Sequence, residues 1–338
     1  MFRPKNPKKA VLIVGGSFGG LTAIKCLDNN DYDIILVDKK SYFEVSYINF
    51  INNQDQIENN QYTPSFPFAL IGPDYFDRIT FNLEDFAKQN NCQYIQGSLE
   101  ELLKDKSLIR LSQTEIKTIK FDYCVISTGS SYASQIKADN QILNSEQKKE
   151  QILQLVNKLK NSKKILIIGG GFVATEIAEI YKFSYGADKQ NFYLNTERRQ
   201  ENLQQKYQSN KEYNLKFDYK FDCRGNIYAP TFMKREFSEY LDEKGRILVD
   251  QYCRLKTHQN IFCVGDACIT PNDESKMGYN STIQGQFAAD NYIKIECKSK
   301  SLKKGKCKYI FNFSEQKRNS KVFWRKCLLS INKREINF

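Results

Sequence analysis

The chain has 338 residues, enough to bury a large core and to form two domains, and 41% of them are hydrophobic. A formal net charge of +12 raises nucleic acid or an acidic membrane as partners. The lysines, however, are spread along a sequence rich throughout in Lys, Asn, Gln, Ile, Tyr and Phe, and they concentrate only in 298–308 and the tail. A solvated basic surface is therefore expected, and nucleic-acid binding is not. Ten cysteines without a C-x-x-C pair exclude a zinc module and a thioredoxin-like motif, and a single histidine, His258, excludes chemistry built on paired imidazoles. No apolar run reaches membrane-spanning length and no signal peptide is visible. The cysteine usage points to a reducing, cytoplasmic setting and not to secretion.

The first informative stretch is 10–38, AVLIVGGSFGGLTAIKCLDNNDYDIILVD. Val11 to Val14 reads as a fully buried parallel strand. The turn Gly15-Gly16-Ser17-Phe18-Gly19-Gly20 follows, then a helix with Leu21, Ile24 and Leu27, and a second apolar run, Ile34 to Val37, ending on Asp38. Strand, glycine turn, helix, strand and a terminal acid make the dinucleotide-binding βαβ unit. Gly15 permits the sharp turn, Gly20 permits close helix–strand packing, and the helix N-terminus points its N–H groups at a diphosphate. Asp38 is expected to accept from ribose hydroxyls. Ser17 replaces the second glycine of G-x-G-x-x-G, at some cost in phosphate approach, and its hydroxyl is a further donor.

From Asp38 to Asn90 the sequence reads as loop-rich. It has an aromatic and polar segment at 41–50, a polar one at 52–61 and a stiff aromatic one at 64–68. Core and hinge packing is the ordinary role for these aromatics, and a flat ring-shaped ligand is the alternative. A short amphipathic helix lies within 76–91, and strands are expected at 92–97 and 107–111, the second leading into a hairpin. Residues 121–131 read as another buried strand, running into Thr128-Gly129. A lysine-rich helix, 144–160, precedes a second glycine turn on which Gly169, Gly171 and Ala174 satisfy G-x-G-x-x-A. Its returning strand is 191–194. A polar helix (201–211), strands at 216–223 and 245–250, and a buried strand ending in Gly265-Asp266 follow. His258 reads as part of a surface turn. A helix spans 276–295 with Gly285 on one side, and the tail from 298 is basic and aromatic.

These pieces in this order resemble the two-dinucleotide-domain flavoproteins of the pyridine nucleotide-disulfide oxidoreductase type. The likeness is greatest to the apoptosis-inducing-factor-like (ferroptosis-suppressor type) proteins and the type II NADH:quinone oxidoreductases. It is carried by 14–21, 37–44, 121–132, 165–179, 241–250, 261–267 and 276–279. The resemblance implies an α/β fold with two Rossmann-like domains for FAD and NAD(P)H, the second inserted in the first. The FAD domain would comprise 8–140 and 252–297, the NAD(P)H domain 150–251, apparently shortened, and 298–338 a remnant of an interface region.

Carried over, Gly15, Gly16, Ser17, Phe18, Gly19, Gly20, Asp38 and Lys39 would hold FAD, Leu99 would touch adenine by its backbone, and Thr128-Gly129 would mark the domain crossover. Gly265 and Asp266 would lie on the flavin side. Gly169, Gly171, Ala174 and Glu176 would form the nicotinamide-nucleotide side. Lys276 stands where these enzymes often place a lysine near the flavin; a solvated helix-start lysine is the alternative. A small quinone-like molecule would be the acceptor, and peripheral attachment to an anionic membrane or a mitochondrion is left open.

The departures weigh on the second half. Ile51 stands near the place of an arginine in some relatives, only one polar helix separates Leu194 from Lys216, and Arg224-Gly225-Asn226 replaces a Thr-Gly followed by Pro-Asn. Asn195, Arg198 and Arg199 leave NADH and NADPH both open. Disulfide reduction is not expected, because no cysteine lies between Asp38 and Asn91, and Cys263 and Cys268 flank Gly265-Asp266 instead. The favoured expectation is an FAD-dependent NAD(P)H oxidoreductase. The alternative is a degenerate FAD-binding protein without turnover, serving as a structural or redox-sensing partner.

Overall fold

The computed structural model describes residues 7–44, 69–70, 76–77, 80–133, 137, 141–169, 171, 173–175, 177–178, 181, 192–195 (backbone), 216–233, 235–274 and 276–290. Expectations for 45–68, Glu176, the 201–211 helix and the tail from 298 lie outside the described residues.

The first unit forms as the sequence predicts. Strand β1 (Lys9–Val14) leads through the glycine turn into helix α1 (Phe18–Cys26) and on to β2 (Tyr32–Asp38). β1 pairs in parallel with β2 on one side and with β9 (Tyr123–Ile126) on the other, and the six-stranded sheet is completed by β5 (Gln93–Gln96), β15 (His258–Cys263) and β14 (Arg254–Leu255). Its order is β14-β15-β9-β1-β2-β5, parallel except at the β14–β15 edge. Because side chains alternate along a strand, β1 supplies both faces of the core. Val11 and Ile13 join Leu21, Ala23 and Ile24 of α1 on one face, and Leu12 and Val14 join Leu99, Ile109 and Ile261 on the other. All four are essentially inaccessible to solvent, and each such side chain contributes roughly 1.5–3 kcal/mol on burial.

The two faces are covered differently. On the first, α1 crosses α4 (Gly278–Ala288) at a point where a Cβ on Gly285 would drive into the backbone of Gly19. The two helices approach this closely because neither has a side chain at the crossing. On the second face lies an antiparallel sheet of β6 (Ser98–Leu102), β7 (Lys106–Arg110) and β8 (Ile116–Lys120). The sequence shows β7 and the hairpin that leads on to β8, but not β6, whose alternation is interrupted by charges on the solvent side. The described residues between Asp38 and Asn90 include two strands beyond the expected helix. β3 (Tyr42–Glu44) pairs antiparallel with β4 (Thr80–Asn82), and Asn82 caps α2 (Leu83–Gln89), its Oδ1 accepting from the N–H groups of Glu84 and Asp85.

The second unit is a three-stranded parallel sheet of β11 (Phe192–Asn195), β10 (Ile165–Ile168) and β12 (Tyr219–Asp222), in the order β11-β10-β12. Helix α3 (Ser145–Asn161) packs on it through Ile152, Leu155, Val156 and Leu159, at helical spacing, against Ile165 and Ile167. A capping box between Asn144 and Gln147 starts this helix. The buried Tyr42, Leu70 and Phe76 of the first unit belong to the same cluster, so these aromatics serve packing.

The packing bears on two expectations. Phe232, Met233, Phe237, Tyr240, Ile247 and Val249 share a core with Leu12 and Val14. The β13 strand (Ile247–Leu248) pairs with β16 (Cys268–Ile269). Ser131 and Ile227 pair through two backbone hydrogen bonds, of 3.0 and 2.8 Å, where the chain leaves and re-enters the first unit. We propose that the inserted domain therefore ends near 226 rather than at 251. His258 is not in a turn. The β14–β15 hairpin turns at 256–257, and His258 opens β15 with its ring edge-on to Phe237.

Gly285→Ala overpacks the α1–α4 crossing and is expected to destabilise the protein by about 1–3 kcal/mol. The check is a shift of the urea unfolding midpoint to lower concentration.

Candidate functional site

The predicted residues of the first unit gather at the C-terminal ends of β1, β9 and β15, where a parallel α/β sheet places its ligands. Gly15 has φ +107°, and a Cβ there would drive into the carbonyl of Ser127, at the end of β9. The turn thus passes under the neighbouring strand with only hydrogen to spare. Ser127 then ties the turn down from its other side, its buried Oγ accepting from the N–H of Gly20 at 2.9 Å. Ser17 is the N-cap of α1, and its hydroxyl makes no capping bond. Phe18 stands edge-on to Phe43 at 5.2 Å between ring centres and lies against Gly278, at the start of α4.

Asp38 is half-buried at the end of β2, and its carboxylate faces the turn. One oxygen accepts from the N–H of Gly16 at 2.6 Å and the other from Lys40 at 2.8 Å. Burial pushes its carboxyl above the ordinary range, against the pull of those two donors and of the Lys40 and Lys39 charges. Asp38 therefore fixes the turn to β2. The carbonyl of Lys39 accepts from Gln96 Nε2, and Gly97 donates to the carbonyl of Asp38, which brings the β5–β6 junction beside this strand end. Leu99, two residues on, is buried in the core of the second face.

A polar cluster closes the other side. Asp266, in a single 3-10 turn (Gly265–Ala267), accepts at Oδ2 from Ser130 Oγ at 2.8 Å, and Lys137 Nζ stands 3.4 Å from the same oxygen. Lys137 also donates to Ser130 Oγ at 2.8 Å and lies over the ring of Tyr132. Its charge is therefore held by an acid, a hydroxyl and an aromatic face. Burial pulls its ammonium below the ordinary lysine range, and Asp266 partly opposes this. Glu44 Oε1 is buried without a hydrogen-bond partner, and burial raises its carboxyl while Lys148, Lys40 and Lys137 pull the other way. Thr128 is exposed, and a Cβ at Gly129, with φ +68°, would meet nothing among the described residues. Gly265, at φ +78°, donates its N–H to Gln284 Oε1 at 2.7 Å.

Lys276 lines a narrow cleft with Gly265, Glu274, Asn280 and Gln284, and its ammonium donates to the carbonyl of Cys268. It thus braces β16 against the start of α4, a role the sequence left between flavin contact and solvent. Ser127, Ser130, Lys137 and Gln284 were not singled out from the sequence. Ser130 directly follows Thr128-Gly129, which is a usable signal, whereas Lys137 has none because its partner is over a hundred positions away.

The second unit repeats the first. Gly169 has φ +122°, and a Cβ there would stand 2.6 Å from the carbonyl oxygen of Cys223, at the end of β12. A Cβ at Gly171 would meet nothing among the described residues, and Ala174 is fully buried. Among the described residues no cluster of His, Cys, Asp and Glu is arranged to hold a metal ion, and no helix is long and apolar enough to cross a membrane.

Ser127→Ala leaves the N–H of Gly20 buried without an acceptor and is expected to cost about 1–3 kcal/mol. Thr128→Ala, at an exposed position, is expected to change stability by less than about 0.5 kcal/mol. Urea unfolding of the two variants checks the contrast.

Comparison with known proteins agrees with this geometry. A family model described as pyridine nucleotide-disulphide oxidoreductase matches residues 9–191. The apoptosis-inducing factor homolog A of Dictyostelium discoideum is 25% identical, over 83% of this chain and 76% of its own. Ferroptosis suppressor protein 1 of Xenopus tropicalis is 24% identical, over 87% and 82%. Among solved structures, the water-forming NADH oxidase from Lactobacillus brevis, bound to NADH, shares the fold with a TM-score of 0.61 at 16% identity, over 85% of this chain and 70% of that one. The family model spans more than half of the sequence, and the chain belongs to the pyridine nucleotide-disulphide oxidoreductase family.

Proposed function

We propose that this chain is an FAD-dependent NAD(P)H oxidoreductase with a quinone-like small molecule as acceptor. The observation that carries the reading is the duplicated cradle. Gly15 and Gly169, both at positive φ, each pass under the carbonyl that ends the adjacent parallel strand, Ser127 in one unit and Cys223 in the other. Each cradle leads into a helix, whose N-terminal N–H groups and partial positive charge suit a diphosphate. Two such sites on one chain fit two dinucleotides. The family membership supports an oxidoreductase, the Lactobacillus relative is bound to NADH, and the likeness to type II NADH:quinone oxidoreductases supports the acceptor class.

In the first site the turn from Gly15 to Gly20 would hold the FAD diphosphate, with Ser17 adding a hydroxyl. Asp38 and the strand end at Lys39 would meet the adenosine ribose, and the backbone near Leu99 the adenine. Asp266, oriented by Ser130 and Lys137, would hold the flavin side together with Gly265 and the Thr128-Gly129 crossover. The orphaned Glu44 Oε1 is an acceptor available to a donor group of the cofactor. Bound FAD would supply two-electron chemistry, taking hydride from the nicotinamide and passing electrons to the acceptor. The side chains need only bind, orient and shield. Gly169, Gly171 and Ala174 would hold the nicotinamide dinucleotide, with Glu176 outside the described residues. Lys276 would act by bracing the α4 start beside Gly265, and Lys137 takes the place of the cation nearest Asp266.

Purified protein reconstituted with FAD is expected to show a visible flavin band that bleaches under anaerobic NADH or NADPH. No band would overturn the reading, and a band that neither donor bleaches would leave the degenerate FAD-binding protein. Lys137→Met leaves Asp266 without its cation and is expected to weaken FAD binding about tenfold or more, read by flavin fluorescence titration. Because Lys137 loses its proton below the ordinary lysine range, FAD affinity is expected to fall as pH rises through that depressed pKa. Lys137→Arg, which keeps its charge, is expected to remove this fall.

A further inference from the structure

The two cradles differ in charge at the residue that follows the carbonyl over each glycine turn. In the first unit the carbonyl over the glycine turn belongs to Ser127, followed by Thr128 and by Gly129 at φ +68°. In the second it belongs to Cys223, followed by Arg224 and by Gly225 at φ +113°. The two tripeptides occupy the same place at the end of the strand flanking the turn, so Arg224 is the counterpart of Thr128.

Arg224 is not a loose surface arginine. Its Nε donates to Asp222 Oδ1 at 2.9 Å and its Nη2 to Oδ2 at 2.6 Å. Asp222 is only 8% exposed, at the end of β12, while the Arg224 side chain is 59% exposed. The anchored fork fixes the plane of the guanidinium and leaves its remaining N–H groups on the solvent side. A Cβ on Gly171 or Gly225 would meet nothing among the described residues. The sheet order decides what the group can reach. β11, whose end would carry the reader of an adenosine ribose, lies on the opposite side of β10 from β12. Arg224 is therefore remote from a 2′-phosphate and adjacent to the glycine turn.

We infer that Arg224, held in plane by Asp222, is a binding residue of the second site and takes the diphosphate of a nicotinamide dinucleotide. This rests on the proposed function, because it presumes that the second cradle binds such a ligand. The charge does work that Thr128 does not do in the first unit, where Ser17 brings only a hydroxyl. NADH and NADPH present the same diphosphate, so Arg224 strengthens both equally and leaves the choice between them to other residues.

The test titrates FAD-loaded wild type and Arg224→Gln with NADH, NADPH and ADP-ribose, following quenching of protein fluorescence. Loss of affinity of about tenfold for all three, with the FAD content unchanged, is expected. Unchanged affinity for all three, or a loss confined to NADPH, would overturn the inference. Wild type that binds none of the three would instead overturn the donor half of the proposed function, a separate result. Arg224→Lys provides a second variant should the first not fold. A lysine keeps the charge without the fork, and it is expected to bind all three ligands more weakly than wild type by a common factor; wild-type affinity in this variant would overturn the role assigned to the clamped guanidinium.

Discussion

The close passage of a glycine turn beneath the end of the neighbouring strand is the constraint on which the rest of this structure depends. At Gly15 a methyl group would drive into the carbonyl of Ser127, and at Gly169 it would stand 2.6 Å from the carbonyl oxygen of Cys223. Both glycines have positive φ, where L side chains are disfavoured by sterics as well. With the turn this close, α1 begins directly after the end of β1 and beside the end of β9.

The same economy of volume sets the packing of the first domain. Gly19 and Gly285 let α1 and α4 touch backbone to backbone, which draws the Gly265–Asp266 turn, tied to α4 through Gln284, toward the glycine turn. Residues separated by some 250 positions in sequence are joined in this way, and the discontinuous domain becomes one body. The opposite face is closed by the β6–β8 sheet and by the segment returning from the inserted domain, whose Phe232, Met233 and Phe237 fill the space over Leu12 and Val14.

Electrostatics then separates the two cradles. In the first, the charged groups are drawn inward: Asp38 against the turn, Asp266 with Ser130 and Lys137, and Glu44 facing a set of lysines. Burial shifts Asp38 and Glu44 up and Lys137 down, all toward their neutral forms. In the second, the pair Asp222–Arg224 stands with the carboxylate buried and the guanidinium more than half exposed.

The sequence by itself determined the local grammar of this protein. Val11 to Val14, the turn at 15–20, the apolar spacing of α1 and the acid at 38 specify a βαβ unit because strand burial, turn geometry and helix periodicity are all short-range. The same holds for 165–174 and for α3, with its Asn144–Gln147 cap. Only the tertiary structure decided what meets across distance. The Ser130–Lys137–Asp266 cluster, the Gly19–Gly285 crossing and the return of 231–249 to the first core each join residues with no shared local pattern. β6 escaped for a related reason, since a short strand with one solvated face differs little from a polar loop until a partner fixes its register. Asp38 shows the division most plainly. Its place at a strand end is written in the sequence, but that its carboxylate turns inward to Gly16 follows from how closely the turn and β2 approach, a distance set by the packing around them.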